Sequence, residues 1–115
     1  MTVTIYHNPR CSKSRQTLAL LQEKGIEPEI IEYLKTPPSK VRLQEILKML
    51  DMEPRELMRT KESAYKEAGL DDQGLSREQL IAAMIEYPIL IERPIVLANG
   101  KAAIGRPPES VLEIL

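Results

Sequence analysis

A chain of 115 residues that is 43% hydrophobic suits one domain, and a chain of this size buries roughly 65% of its unfolded surface on folding. With 16 basic against 17 acidic residues, the net charge of −1 argues against nucleic acid as the main partner, and no apolar run approaches the ~20 residues of a membrane helix. One cysteine allows no internal disulfide, and the N-terminus lacks the basic start and apolar stretch of a signal peptide, so a cytoplasmic protein, taken as monomeric, is expected.

The chain opens on a short β-prone segment, Val3 to Tyr6. A helix is predicted from about Ser12 to Lys24, with Leu18 and Leu21 on one face and Gly25 as its stop. Glu29 to Leu34 reads as extended, through Ile30, Ile31 and Tyr33. Strand, helix and strand together suggest a right-handed βαβ unit with parallel strands. Thr36-Pro37-Pro38 then breaks the chain, and Ser39 can cap a helix carrying Leu43, Ile46, Leu47 and Leu50. Pro54 can start a short helix through Leu57 and Met58, and another is predicted from Glu62 to Ala68, ending at Gly69. Ser76 and Gln79 form a capping box ahead of Leu80, Ile81, Met84 and Ile85, and Tyr87-Pro88 closes that helix.

The last part returns to strands. Ile95 to Ala98 and Lys101 to Ile104 flank Asn99-Gly100, a strong hairpin signal because both turn residues must take positive φ. Pro107-Pro108 opens a terminal helix through Val111, Leu112 and Leu115. The order β-α-β, helical insert, β-β-α fits an α/β chain with a four-stranded mixed sheet and helices on both faces. That is the element order of the thioredoxin-like fold, here one domain over 1–115 with a helical insert at about 36–88.

Cys11 falls where the first strand should meet the first helix, in His7-Asn8-Pro9-Arg10-Cys11-Ser12-Lys13-Ser14-Arg15. The free N–H groups of a first helical turn carry partial positive charge, stabilise a thiolate and bind oxyanions. Arg10, Lys13 and Arg15 add positive charge. Such surroundings bring a thiol pKa from about 8.5 to about 3.5–7.5. The alternative is a small residue that merely packs, but the polar and cationic neighbours do not resemble a core. A dithiol motif needs a second cysteine at the position of Ser14, and a phosphatase-type loop needs arginine where Thr17 stands. Zinc is not expected, since one Cys and one His cannot supply a tetrahedral site. His7, the only histidine, could lower the thiol pKa as an imidazolium or relay protons when neutral; a strand-end histidine satisfied by the backbone is the alternative.

Arg93 and Arg106 each precede a proline. A two-residue loop at 99–100 pairs 98 with 101 and, if continued, 93 with 106. Two like charges side by side are unfavourable unless an anion lies between them. Two solvated surface arginines are the alternative, should the register break at Pro94. Pro94 lies just before a predicted strand, where thioredoxin-like folds place a cis-proline facing the active cysteine, so a cis Arg93-Pro94 bond is hypothesised. Arg59 follows Leu57-Met58 at the end of a short helix, where an arginine usually just complements the helix dipole.

Five separated motifs, His7-Asn8-Pro9-Arg10-Cys11, Tyr33-Leu34-Lys35-Thr36-Pro37-Pro38, Glu56-Leu57-Met58-Arg59, Glu92-Arg93-Pro94-Ile95-Val96 and Gly105-Arg106-Pro107, resemble those of the glutaredoxin-coupled arsenate reductases in the same order. The resemblance covers essentially the whole chain and is strongest to short members of the family. It implies a thioredoxin-like fold with a helical insertion and a Cys11 that attacks arsenate. Glutathione would be the co-substrate, with no bound cofactor, and glutaredoxin would resolve the mixed disulfide. Arg59, Arg93 and Arg106 would carry the oxyanion, His7 would help lower the thiol pKa, and Ser14 would support the thiolate by hydrogen bonding. The residues after Cys11 are more basic than is common in that family. A lone thiolate supplies only half of a two-electron reduction, so the serine at position 14 independently demands an outside thiol. The competing readings are an Spx-like regulator that binds RNA polymerase, whose dithiol switch Ser14 removes, and a glutathione-dependent thiol reductase with no arsenic role.

Overall fold

The structure is a computed structural model and describes residues 2–115. The described chain divides into two compact units, one formed by residues 2–36 and 93–115, the other by residues 37–92.

The first unit holds strands β1 (Thr4–His7), β2 (Glu29–Glu32), β3 (Ile95–Ala98) and β4 (Lys101–Ile104), and helix α1 (Ser12–Glu23). The four strands form one mixed sheet in the order β2-β1-β3-β4. β1 runs parallel to β2 and antiparallel to β3, and β4 returns antiparallel to β3. This is the thioredoxin-like arrangement expected from element order. One face of the sheet presents Val3, Ile5, Val96 and Ala98, which bury Leu21 of α1 together with Val111 and Ile114 near the C-terminus. Aliphatic side chains fill this core without any aromatic ring.

The hairpin forms in the predicted register, with Ala98 opposite Lys101 and Ile95 opposite Ile104. Asn99 and Gly100 take φ of 55° and 72°, the positive values that a two-residue loop between right-twisted strands requires.

Two elements differ from expectation. β2 stops at Glu32 rather than Leu34, because the Glu32 carbonyl accepts the N–H groups of Lys35 and Thr36 and turns the chain. The terminal helix, Pro108–Ile114, is 3₁₀. At about three residues per turn, inward positions recur every third residue. Pro108, Val111 and Ile114 are therefore buried, while Leu112, expected inside on an α-helical period, is exposed.

The second unit carries α2 (Lys40–Leu50), α3 (Pro54–Leu57), α4 (Ser63–Glu67) and α5 (Arg77–Glu86), followed by a 3₁₀ turn at Pro88–Leu90. Ser39 caps α2 by accepting the Arg42 N–H at 3.1 Å. The Ser76–Gln79 capping box forms in both directions, at 2.8 and 3.2 Å. Leu43, Ile46, Leu47, Leu57, Ile81, Met84 and Leu90 are fully buried. The unit runs past Pro88 to Glu92 because residues 57–59 and 90–92 pair antiparallel about the Met58–Ile91 bridge. Among the described residues, no helix is long and apolar enough to cross a membrane.

Gly105, at the end of β4, is where the sheet meets α1. A Cβ there would collide with Thr17 Oγ1 and come within 2.8 Å of Pro94 Cγ. Thr17 is itself fixed, since its hydroxyl donates to the Lys13 carbonyl at 2.8 Å. Gly105→Ala is expected to destabilise the protein by about 1–3 kcal/mol through overpacking. Urea unfolding checks this, and an unchanged midpoint would show that Thr17 and Pro94 give way.

Candidate active site

β1 ends at His7, residues 8–10 turn the chain, and Cys11 becomes the N-cap of α1 with φ −92° and ψ 123°. The turn is held from inside. Asn8 Oδ1 accepts the Arg10 N–H at 3.0 Å, and the Asn8 carbonyl accepts the Cys11 N–H at 3.0 Å. Arg15, one turn into α1, reaches back to donate to the Pro9 carbonyl at 2.8 Å. The strand-to-helix turn is thus tied at both ends, which fixes where the Cys11 side chain starts.

Cys11 is buried, with 9% of its surface exposed. Burial alone pushes its thiol pKa up. The backbone N–H of Ser14, the hydrogen bond and positive charge of Arg93, and the backbone N–H of Lys13 outweigh that, so the pKa lies below its ordinary value. The polar groups at the sulfur replace the water it lost and favour its charged form.

His7 and Ser14 are also buried. His7 Nδ1 lies 2.6 Å from Ser14 Oγ, and the same oxygen accepts the Asn8 N–H at 3.0 Å. The Ser14 hydroxyl and His7 Nδ1 share a hydrogen bond whose direction follows the imidazole tautomer. Burial lowers the His7 pKa, Glu32 opposes this, and Arg15 adds to it; the net shift is downward. His7 is therefore neutral at neutral pH. It bonds the Ser14 hydroxyl, while the backbone N–H of that same Ser14 serves the sulfur.

The hairpin register continues past the ladder. The Gly105 N–H donates to the Pro94 carbonyl at 2.9 Å, and Arg106 Nη1 donates to the Arg93 carbonyl at 3.4 Å. The register ends at the Pro94–Gly105 pair, because the Arg106 N–H turns back to the Ile104 carbonyl at 2.9 Å; the expected backbone pairing of 93 with 106 does not form, and only the Arg106 side chain reaches across. The Arg93–Pro94 bond is cis, the isomer hypothesised from sequence, and Arg106–Pro107 is cis as well. Arg93 is part-buried and engages Cys11, whereas Arg106 is exposed.

Arg59 lies in the helical unit. The 57–59 and 90–92 pairing brings it to Glu92, and its guanidinium bonds Glu92 Oε1 at 3.0 Å and Glu62 Oε1 at 3.2 Å. Sequence reasoning gave Arg59 no such carboxylate partners. It also gave no role to Asn8, to the reach of Arg15 or to the close approach at Gly105. The Asn8-Pro9 dipeptide, a turn initiator, was the available signal for the first.

Residues 6–114 match the family model described as the ArsC family. The chain belongs to the ArsC family. It is 62% identical to the uncharacterized protein YfgD of Escherichia coli (strain K12), over 98% of this chain and 96% of that one. It is 55% identical to an arsenate reductase of Haemophilus influenzae, over 100% of both chains. Among solved structures, an arsenate reductase from Vibrio cholerae superposes with a TM-score of 0.97 at 58% identity, covering 100% of this chain and 98% of that one.

For this ArsC-family protein, Arg93→Ala is expected to raise the Cys11 pKa, because it removes both a hydrogen bond and a positive charge from the sulfur. Iodoacetamide labelling across pH reads this. Alkylation should slow at neutral pH and converge with wild type at high pH, where both thiols are ionised; superimposable profiles would remove Arg93 from the thiol.

Proposed function

We propose that this protein reduces arsenate to arsenite at Cys11. The observation that carries the reading is a buried cysteine at a helix N-terminus whose thiolate is favoured by backbone N–H groups and by Arg93. The relatives and the solved structure named arsenate reductase supply the substrate.

The chemistry follows from the site. The Cys11 thiolate attacks arsenic, a water equivalent leaves, and a sulfur–arsenic(V) adduct forms. A glutathione thiolate then attacks the Cys11 sulfur. The sulfur–arsenic bond breaks with its electron pair kept by arsenic, which departs as arsenite. Cys11 is left in a mixed disulfide with glutathione, so two thiols have been oxidised and arsenic has gained two electrons. A glutaredoxin thiolate takes up the glutathione and restores Cys11. With a serine at position 14, the chain has no second thiol to perform this last step.

Arg93 and Arg106 are assigned to the oxyanion, where forked guanidinium groups suit a tetrahedral anion. Arg59 is assigned to it by the family resemblance. His7 and Ser14 hold the start of α1, and through it the N–H groups on the sulfur. Glutathione is a co-substrate, and no bound cofactor takes part. The single cysteine and its need for reduced thiols favour the cytoplasm.

The test is arsenate-dependent NADPH oxidation in the presence of glutathione, glutaredoxin and glutathione reductase. Wild type is expected to show it, and Cys11→Ser to abolish it. Arg93→Ala and Arg106→Ala should each weaken arsenate use by about ten- to a hundredfold, the range for losing a charge-assisted contact, with unchanged circular dichroism. No arsenate dependence in wild type would overturn the substrate, and full activity in both arginine variants would overturn the anion assignment.

A further inference from the structure

The chain has two asparagines, and the residues that follow them set them apart. Asn8 precedes Pro9, whose nitrogen carries no hydrogen and cannot attack a side-chain amide. Asn99 precedes Gly100, whose nitrogen is crowded by no side chain of its own. These two residues form the loop between β3 and β4, with φ of 55° and 72°, and both are exposed. A Cβ placed on Gly100 would meet nothing within 4 Å, so the loop has open space on that side.

The Asn99 side chain does more than suit the loop. Its Nδ2 donates to the Ile114 carbonyl at 2.8 Å, across 15 residues of chain. Ile114 ends the last 3₁₀ helix, and with Val111 it is buried against Val96 and Ala98 of β3. The amide therefore clasps the C-terminal segment to the turn of the hairpin on which that segment packs. The Ile114 oxygen can only accept, so the contact needs an N–H from Asn99. A carboxylate in its place would set oxygen against oxygen and take this donor from the carbonyl.

We propose that Asn99-Gly100 is a self-modification site, at which loss of the Asn99 amide opens the clasp on the C-terminal segment. The Gly100 nitrogen attacks the Asn99 side-chain carbon and a carbon–nitrogen bond forms. Nδ2 departs as ammonia, taking the equivalent of the proton that Gly100 gives up. Water then opens the cyclic imide. Opening at the side-chain carbon gives aspartate. Opening at the main-chain carbon gives isoaspartate, whose main chain runs through the former side chain and is longer by a carbon. Amide and water have become acid and ammonia, with no oxidant or reductant. The two products differ in reach. Aspartate tolerates positive φ, keeps the two-residue loop and loses only the clasp. Isoaspartate also lengthens the loop. That loop sets the pairing from Ala98–Lys101 to Ile95–Ile104 and on to Pro94–Gly105, next to Arg93. Isoaspartate at the turn thus bears on the Cys11 thiolate through the seat of Arg93.

The protein is warmed at mildly alkaline pH, where the Gly100 nitrogen gives up its proton more readily, and followed by peptide mapping with mass spectrometry. Conversion is expected at Asn99 and not at Asn8. An Asn99 that stays intact in the folded protein, while the urea-denatured chain converts, would overturn the modification site. Hydrogen exchange over residues 108–115 reads the clasp. Asn99→Asp and Asn99→Gly both keep a loop residue that accepts positive φ, and both should exchange about fivefold faster there, the effect of one lost hydrogen bond. Unchanged exchange in either would overturn the clasp. The isoaspartate form, separated by chromatography, should be alkylated at Cys11 more slowly than wild type at neutral pH, with Asn99→Asp matching wild type. Equal rates in all three would overturn the reach to Arg93.

Discussion

The Cys11 sulfur sits where two forces pull its proton in opposite directions. Burial favours the neutral thiol, and the polar groups at the helix start favour the thiolate. The second wins because those groups are fixed before the charge appears. The N–H groups of Ser14 and Lys13 point along the axis of α1, and helix formation leaves them without backbone partners. Arg93 supplies a full charge. Water would have to reorganise around a developing anion, whereas this cradle does not. The turn at 8–10 exists to present the sulfur to the cradle, which is why its hydrogen bonds are internal and why Arg15 braces it from the helix.

Hairpin geometry does the rest of the positioning. The two-residue loop at Asn99-Gly100 sets which residues of β3 and β4 face each other, and that register persists to the Pro94–Gly105 pair. Arg93 and Arg106 flank that last pair, and Arg106 reaches the Arg93 carbonyl through its side chain. Gly105 lets the same pair close on Thr17 of α1, so the arginine end of the hairpin and the helix carrying Cys11 share one packed junction.

Local chemistry was legible in the sequence wherever a residue's role depends on its immediate neighbours. Ser39, the Ser76–Gln79 box and Asn99-Gly100 all act over three residues or fewer, and each does what its pattern implies. The closeness of 93 and 106 was legible only in part: the turn propagates register to the 94–105 pair, and Arg106 then folds back on Ile104. What escaped depends on partners distant in sequence or on a change of period. The carboxylates around Arg59 come partly from Glu92, brought in by a pairing that no local pattern announces. Leu112 turns outward because a 3₁₀ helix advances its inner face by three residues and not by 3.6. The neutrality of His7 follows from burial, and its sequence neighbours gave no measure of that.

Ser14 occupies the place where a second thiol would stand, and its hydroxyl is already committed to His7 and Asn8. A molecule with an internal dithiol can latch: it closes on itself when oxidised and waits. This one has no latch. In the proposed cycle a shortage of outside thiol would stall it, with Cys11 carrying whatever was last attached to it. On that proposal its oxidation state would follow the surrounding thiol pool from one turnover to the next, and the protein would store no record of its own.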